Sequence, residues 1–225
     1  MTNRFKVFDL FHRGLRNALA QLILLTGKTD FTNLCEVTCL QRTGREIFGL
    51  LSVYASDKAE ITLAALEERL PGATAHLAGP HCKIEKLRAE LENQLHEITM
   101  GAGRGEAVKE GGRIFYWALN EFYAMYLLHM LEEEVDTQEL LWQYFTDVEL
   151  MVHRRQMIMR MSAATLLSWL KYIVPAQGQQ ERAAFLRGLA TVIPYARFVQ
   201  AIQVVEGVLS ASEWQVLDSD LALVS

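Results

Sequence analysis

A chain of 225 residues, 51% hydrophobic and 22% charged, carries enough apolar surface for one substantial core, which excludes an intrinsically disordered chain. Its formal charge of -5, with no long block of like charges, excludes the basic footprint that phosphate backbones require, so nucleic acid is not expected as a partner. The longest apolar stretch, Ala18 to Leu25, contains Gln21 and is too short to span a bilayer, so no membrane association is expected either.

The opening MTNRFKVFDLFHRG places charges between apolar positions at helical spacing, unlike a secretory signal, and a mature cytoplasmic chain starting there is the expectation. Cys35, Cys39 and Cys82 are scattered and odd in number, which suits reduced thiols in a reducing compartment. Period-2 alternation is hard to find, whereas apolar spacings of three and four recur along nearly the whole chain, so the fold class is all-α.

In chain order, a first helix is expected from about Phe5 to Leu25, with Phe8, Leu15, Leu19 and Leu22 on one face and Gly27 after its end. His12 lies on that apolar face. Residues 28 to 43 mix Asp30, Asn33 and Thr43 with two cysteines, reading as a connection with room for a short helix. A second helix runs from about Arg45 to Leu70, where Pro71 and Gly72 stop it. Ala73 opens a third that continues towards Met100, with Pro80 as a break or a new first-turn residue. Gly101 to Gly112 contains five glycines and reads as a flexible crossover before an aromatic-rich helix, Arg113 to Glu134. Thr137 to Val174 reads as helix interrupted near Thr146 to Val148, and Pro175, Gly178, Pro194 and Ser210 punctuate shorter helices to the end.

Histidine is scarce, six in all, so His12, His81 and His129 on separate helices stand out. A metal centre inside a helical bundle forms when each helix projects a His or a carboxylate into the core, often as a pair one turn apart. His129 and Glu133 have that spacing, with Phe122, Met125 and Tyr126 on the same face before them, and His81 and Glu85 repeat it. The consecutive Glu132, Glu133 and Glu134 span most of the helix circumference, so at least one faces inward. The bland alternative is a set of satisfied core histidines and a solvated acidic helix end.

The order of His12, a long helix, the segment Ala65-Leu-Glu-Glu-Arg-Leu-Pro-Gly-Ala73, His81 and then His129-Met-Leu-Glu-Glu-Glu134 resembles hemerythrin-like cation-binding (HHE) proteins over residues 8 to 135. Met161-Ser-Ala-Ala-Thr-Leu-Leu-Ser-Trp-Leu170, Glu181-Arg182, Pro194 and Ser212-Glu-Trp214 resemble the C-terminal helices of bacterial hemerythrin-domain proteins. The resemblance implies a four-helix bundle over 1–136, with a helical extension over 137–225 packed on it. It also implies a non-haem di-iron site with ligands at His12, His81, His129 and Glu133, Glu134 being the alternative to Glu133. The function implied is binding or sensing of oxygen, nitric oxide or redox state; a turnover reaction is not implied.

The second helix departs from the family pattern, which has a His followed four residues later by a Glu. Counting without gaps from the Ala65 to Ala73 segment puts Tyr54 and Lys58 at those positions, where an ammonium competes with a cation and no iron, or one ion, is expected. A shift of two puts Ser56 and Glu60 there, leaving one carboxylate, with Asp57 nearby as a replacement ligand. Leu50, Tyr54, Asp57, Ile61 and Ala64 form a stripe that turns Asp57 inward and Glu60 to the flank. Both registers stay open, as does the metal: iron, one ion or two, with zinc or none as alternatives. The rival reading is a metal-free bundle serving as an interaction or small-molecule-binding module, and a homo-oligomer or protein partner is compatible with either.

Other motifs are weaker. Cys35 and Cys39 suit a thiol role or small buried hydrophobes. Gly101-Ala-Gly-Arg-Gly105 lacks the Lys-Ser or Lys-Thr of a phosphate loop, and His153-Arg-Arg155 reads as solvated surface.

Overall fold

The computed structural model describes residues 4–222, and among these there are helices and no strand. No described helix is long and apolar enough to cross a membrane. By contacts the chain falls into two compact units, residues 18–145 and residues 1–17 with 146–225.

The first long helix, α1, spans Asp9–Lys28 and contributes to both units. His12 and the expected face of Phe8, Leu15, Leu19 and Leu22 are all buried. α2 spans Leu34–Asp57, beginning well before the expected Arg45, so most of the expected connection after Asp30 is helical. Asn33 causes the early start: its side-chain oxygen accepts the Cys35 N–H at 3.0 Å, and Val37, Leu40 and Gly44 then continue a buried face.

The rod continues through a π-helical segment, Lys58–Leu63, into α3, Ala64–Arg69, and stops before Pro71 as expected. A single 3₁₀ turn precedes α4, Ala78–Gly103, in which Pro80 occupies the first turn, where its missing N–H has no partner to lose.

The expected glycine crossover is largely helical. α4 runs on to Gly103, and α5, Lys109–Glu132, already includes Gly111 and Gly112. The reason is packing: a Cβ on Gly112 would lie 2.5 Å from the Phe31 ring, so glycine serves close approach there, not flexibility. Only at Gly105, with φ of +75°, is its conformational freedom needed. A second π-helical segment, Glu133–Thr137, leads into α6, Gln138–Tyr144.

Within this unit α4 packs on both α2 and α5, and α3 on α6. Gly44 of α2 lets Leu95 of α4 and Leu22 of α1 approach, and Gly27 of α1 faces the Tyr116 ring of α5. Leu22, Leu40, Phe48, Leu95, Phe115 and Leu119 are buried in the unit's core.

In the other unit α7 spans Asp147–Arg160, entered through a capping box in which Thr146 and Glu149 satisfy each other's backbone N–H groups. The break falls at Phe145 and Thr146, within the region expected. A further break precedes α8, Ala163–Ile173, because Ser162 caps it by accepting the Thr165 N–H at 3.0 Å. α9, Gln179–Ala190, α10, Tyr195–Val208, and α11, Ala211–Ala222, follow, separated at the expected Pro194 and Ser210. Arg182 is buried and donates to the Val174 carbonyl at 2.9 Å and to Glu213 at 2.8 Å, tying the α8–α9 turn to α11.

Candidate metal centre

His129 sits on the buried face of α5 because Phe115, Leu119, Phe122 and Tyr126 precede it at spacings of three and four. Glu133, one turn later, is fully buried at the start of the second π segment. Its Oε1 is 3.2 Å from His129 Nε2 and 3.1 Å from His81 Nε2, the latter imidazole coming from the first turn of α4. The ligand-type atoms of His81, His129 and Glu133 all lie within 4.8 Å of one another, so this trio can hold a metal ion.

A fourth side chain meets the same oxygen. Lys58, 3% exposed, forms an ion pair with Glu133 Oε1, and its Nζ lies 3.4 Å from His81 Nε2 and 5.5 Å from the Tyr54 ring centre. A buried carboxylate with an ammonium on it is neutralised as a pair, and the aromatic face adds cation–π attraction. The ammonium therefore occupies ground that a cation bound through Oε1 would need. The arrangement is that of the ungapped register, with Tyr54 and Lys58 facing the cluster.

Asp57, which the apolar stripe turned inward, is half-buried, and Glu60 is exposed and accepts a hydrogen bond from Ser56 at 2.9 Å. Beyond Asp57 the π turn shifts the phase, since each residue in it advances less around the axis than a regular α-helical residue, and Lys58, Thr62 and Leu63 are buried where the stripe placed Ile61 and Ala64. Glu85 is exposed and paired with Arg88, Glu134 is half-buried, and neither belongs to the trio. His12 lies in the other unit, buried and stacked on Phe8 with ring centres 5.4 Å apart. Lys58 was legible as a competitor at a ligand position, but not as the partner of Glu133, because pairing across 75 residues leaves no periodic signal.

The two π segments repeat a pattern. Tyr54, Lys58 and Thr62 on one rod match His129, Glu133 and Thr137 on the other, each series at spacings of four with the charged residue opening the π turn. Elsewhere Thr26 and Thr99 donate their hydroxyls to the carbonyl four residues back at 2.8 Å. Thr62 and Thr137, although buried, have no hydrogen-bond partner at Oγ1 among the described residues, as expected where a π turn displaces that carbonyl.

Burial foremost, and then the Glu133 charge, hold the Tyr54 phenol well above its ordinary value. Burial and Glu133 also raise Tyr126, whose ring lies 6.2 Å from that of His129. Both phenols therefore stay neutral around the cluster. The buried His129 Nδ1 has no hydrogen-bond partner among the described residues. His81 is the wet edge of the cluster, its side chain 30% exposed against 5% for His129.

Cys35, Cys39 and Cys82 are all exposed and unbridged, so none is a buried hydrophobe. A groove of about 630 Å³ lies elsewhere in this unit between Thr26, Phe31, Lys109 and Tyr116. Comparison with known families, characterised proteins and solved structures finds no match for the chain.

Proposed function

We propose that the chain is a hemerythrin-like cation-binding protein whose residues 18–145, with the α1 portion, α2, α4 and α5, form a four-helix bundle with one metal ion in its core. The observation that carries the reading is the convergence of His81, His129 and Glu133 within 4.8 Å from two helices. Two imidazole nitrogens and a carboxylate oxygen suit iron, zinc or manganese, and the open positions of a three-ligand site suit a small exogenous ligand such as a diatomic gas. Asp57, Glu60 and Glu85 stand outside the trio, and Lys58 takes the position of a second positive charge, so the residues fit one ion and not two. Binding through Oε1 requires the ammonium to withdraw, which makes the site a contested one.

The ion pair of Lys58 and Glu133 favours a second reading, a metal-free bundle in which the ammonium does permanently what a metal does elsewhere. The two separate in one experiment: anaerobic titration of chelator-treated protein with ferrous iron and with zinc, followed by metal analysis and thermal melting. The metal reading expects about one ion per chain and a raised melting temperature, both lost in His129→Ala. No bound ion and an unmoved melting temperature with either metal sinks it and leaves the metal-free reading.

A further inference from the structure

α5 carries two apolar seams. The inner one, Phe115, Leu119, Phe122, Tyr126 and His129, is buried in its unit. The outer one, Ile114, Trp117, Glu121, Ala124, Leu128 and Leu131, continued by Val135 in the π segment that follows, repeats at alternating intervals of three and four, the heptad spacing of a coiled-coil face. It is open to solvent: Ile114 is 49% exposed, Trp117 56%, Leu128 63%, Leu131 52% and Val135 54%. A helix apolar on opposite faces is one that is covered on both, and a contiguous exposed seam of this kind marks an interaction surface.

We propose that this seam is a homodimer interface in which α5 of one chain packs antiparallel against α5 of a second copy about a two-fold axis at Ala124. The seam spans about 32 Å of helix. Its apolar side chains expose about 500 Å² per copy and, with the flanking stems, approach the about 800 Å² per partner of a standard interface.

Self-complementarity selects the second copy as occupant. In the antiparallel register Ile114 meets Val135, Trp117 meets Leu131, Glu121 meets Leu128, and the small Ala124 meets itself where the helices come closest. Charge agrees. Arg113, flanking one end of the seam, comes alongside Glu134, which flanks the same side at the other end of the second copy. Arg113, which pairs with Glu110 and lies 4.1 Å over the Trp117 ring, stiffens the large aromatic that anchors the contact. A parallel pairing would instead set Glu121 against Glu121 inside the seam, two like charges losing water together.

The test is the mass of the full chain in solution by light scattering from about 1 to 100 μM. The expected result is twice the 25.6 kDa of one chain, reverting to 25.6 kDa in Leu128→Glu with unchanged helical circular dichroism. Orientation is read independently by cross-linking in a background with Cys35, Cys39 and Cys82 replaced by serine. A mixture of Ile114→Cys and Val135→Cys chains forms disulfide-linked dimers on oxidation, and neither variant alone does. A mass of 25.6 kDa throughout, a dimer indifferent to Leu128→Glu, or linkage within Ile114→Cys alone overturns the proposal.

Discussion

Glu133 Oε1 gathers Lys58, His81 and His129 on one atom, and the energetic consequence follows from burial. An ion pair removed from water loses much of its Coulomb gain to desolvation, but deleting one partner leaves the other charge buried alone. Lys58→Met is therefore expected to destabilise the metal-free protein by about 3–5 kcal/mol, and Lys58→Met with Glu133→Gln by less than that single change, a non-additivity measurable by urea denaturation. Additive losses would mean that the two charges do not stabilise each other. At the surface, Glu213 shows the opposite regime. Hydrogen bonds from Ser210, first from its hydroxyl, and the donor Arg182 lower its carboxyl from 4.5 to about 2. A folded value below the unfolded one contributes stability that is present above 4.5 and lost as pH falls towards 2. The stability gap between the native chain and Glu213→Gln should accordingly narrow over that interval, and a gap constant with pH would count against the assignment. His129 and Glu133 were legible as an inward pair from their spacing and the aromatics before them, whereas their meeting with Lys58 and His81 was not, because proximity between distant helices has no local signature.

Among the elements, α5 shows most plainly how packing overrides local propensity. Gly111 and Gly112 read as breakers, yet both are helical, since the loss of helix propensity, about 1 kcal/mol each, is offset where Ile98 at Gly111 and Phe31 at Gly112 fill the space a side chain would need. Gly112→Ala should then cost about 1–3 kcal/mol despite alanine's better propensity, because the added Cβ would start 2.5 Å from the Phe31 ring. Gly49→Ala in α2, with nothing within 4 Å, should stabilise by about 0.5–1 kcal/mol. Thermal melts of the two variants moving in the same direction would show that propensity, not contact, governs both. The start of α2 makes the complementary point: Asn33 is a recognisable cap, but the glycine and cysteines around it masked a helix whose buried face is Val37, Leu40 and Gly44. The π segments were not legible at all, for a π turn is a local response to the partners that its side chains must reach.

For the whole molecule, the proposed dimer predicts a melting temperature that rises with protein concentration in the native chain and is flat in Leu128→Glu, because association stabilises only the folded state. Within residues 18–145 the wall of the His and Glu cluster and the outer seam share one helix, so α5 is both scaffold and surface. The all-helical class, the buried face of α1, the stops at Pro71 and Pro194 and the inward pairing of His129 with Glu133 followed from the sequence by itself, since each depends on residues within a few turns of one another. The tertiary structure alone decided that Lys58 shares Glu133 with two histidines, that Asp57 and Glu60 stand aside, and that Gly111 and Gly112 are helical. Those outcomes turn on which side chains meet across tens of residues and on the space between them, and neither quantity is carried by periodicity along the chain.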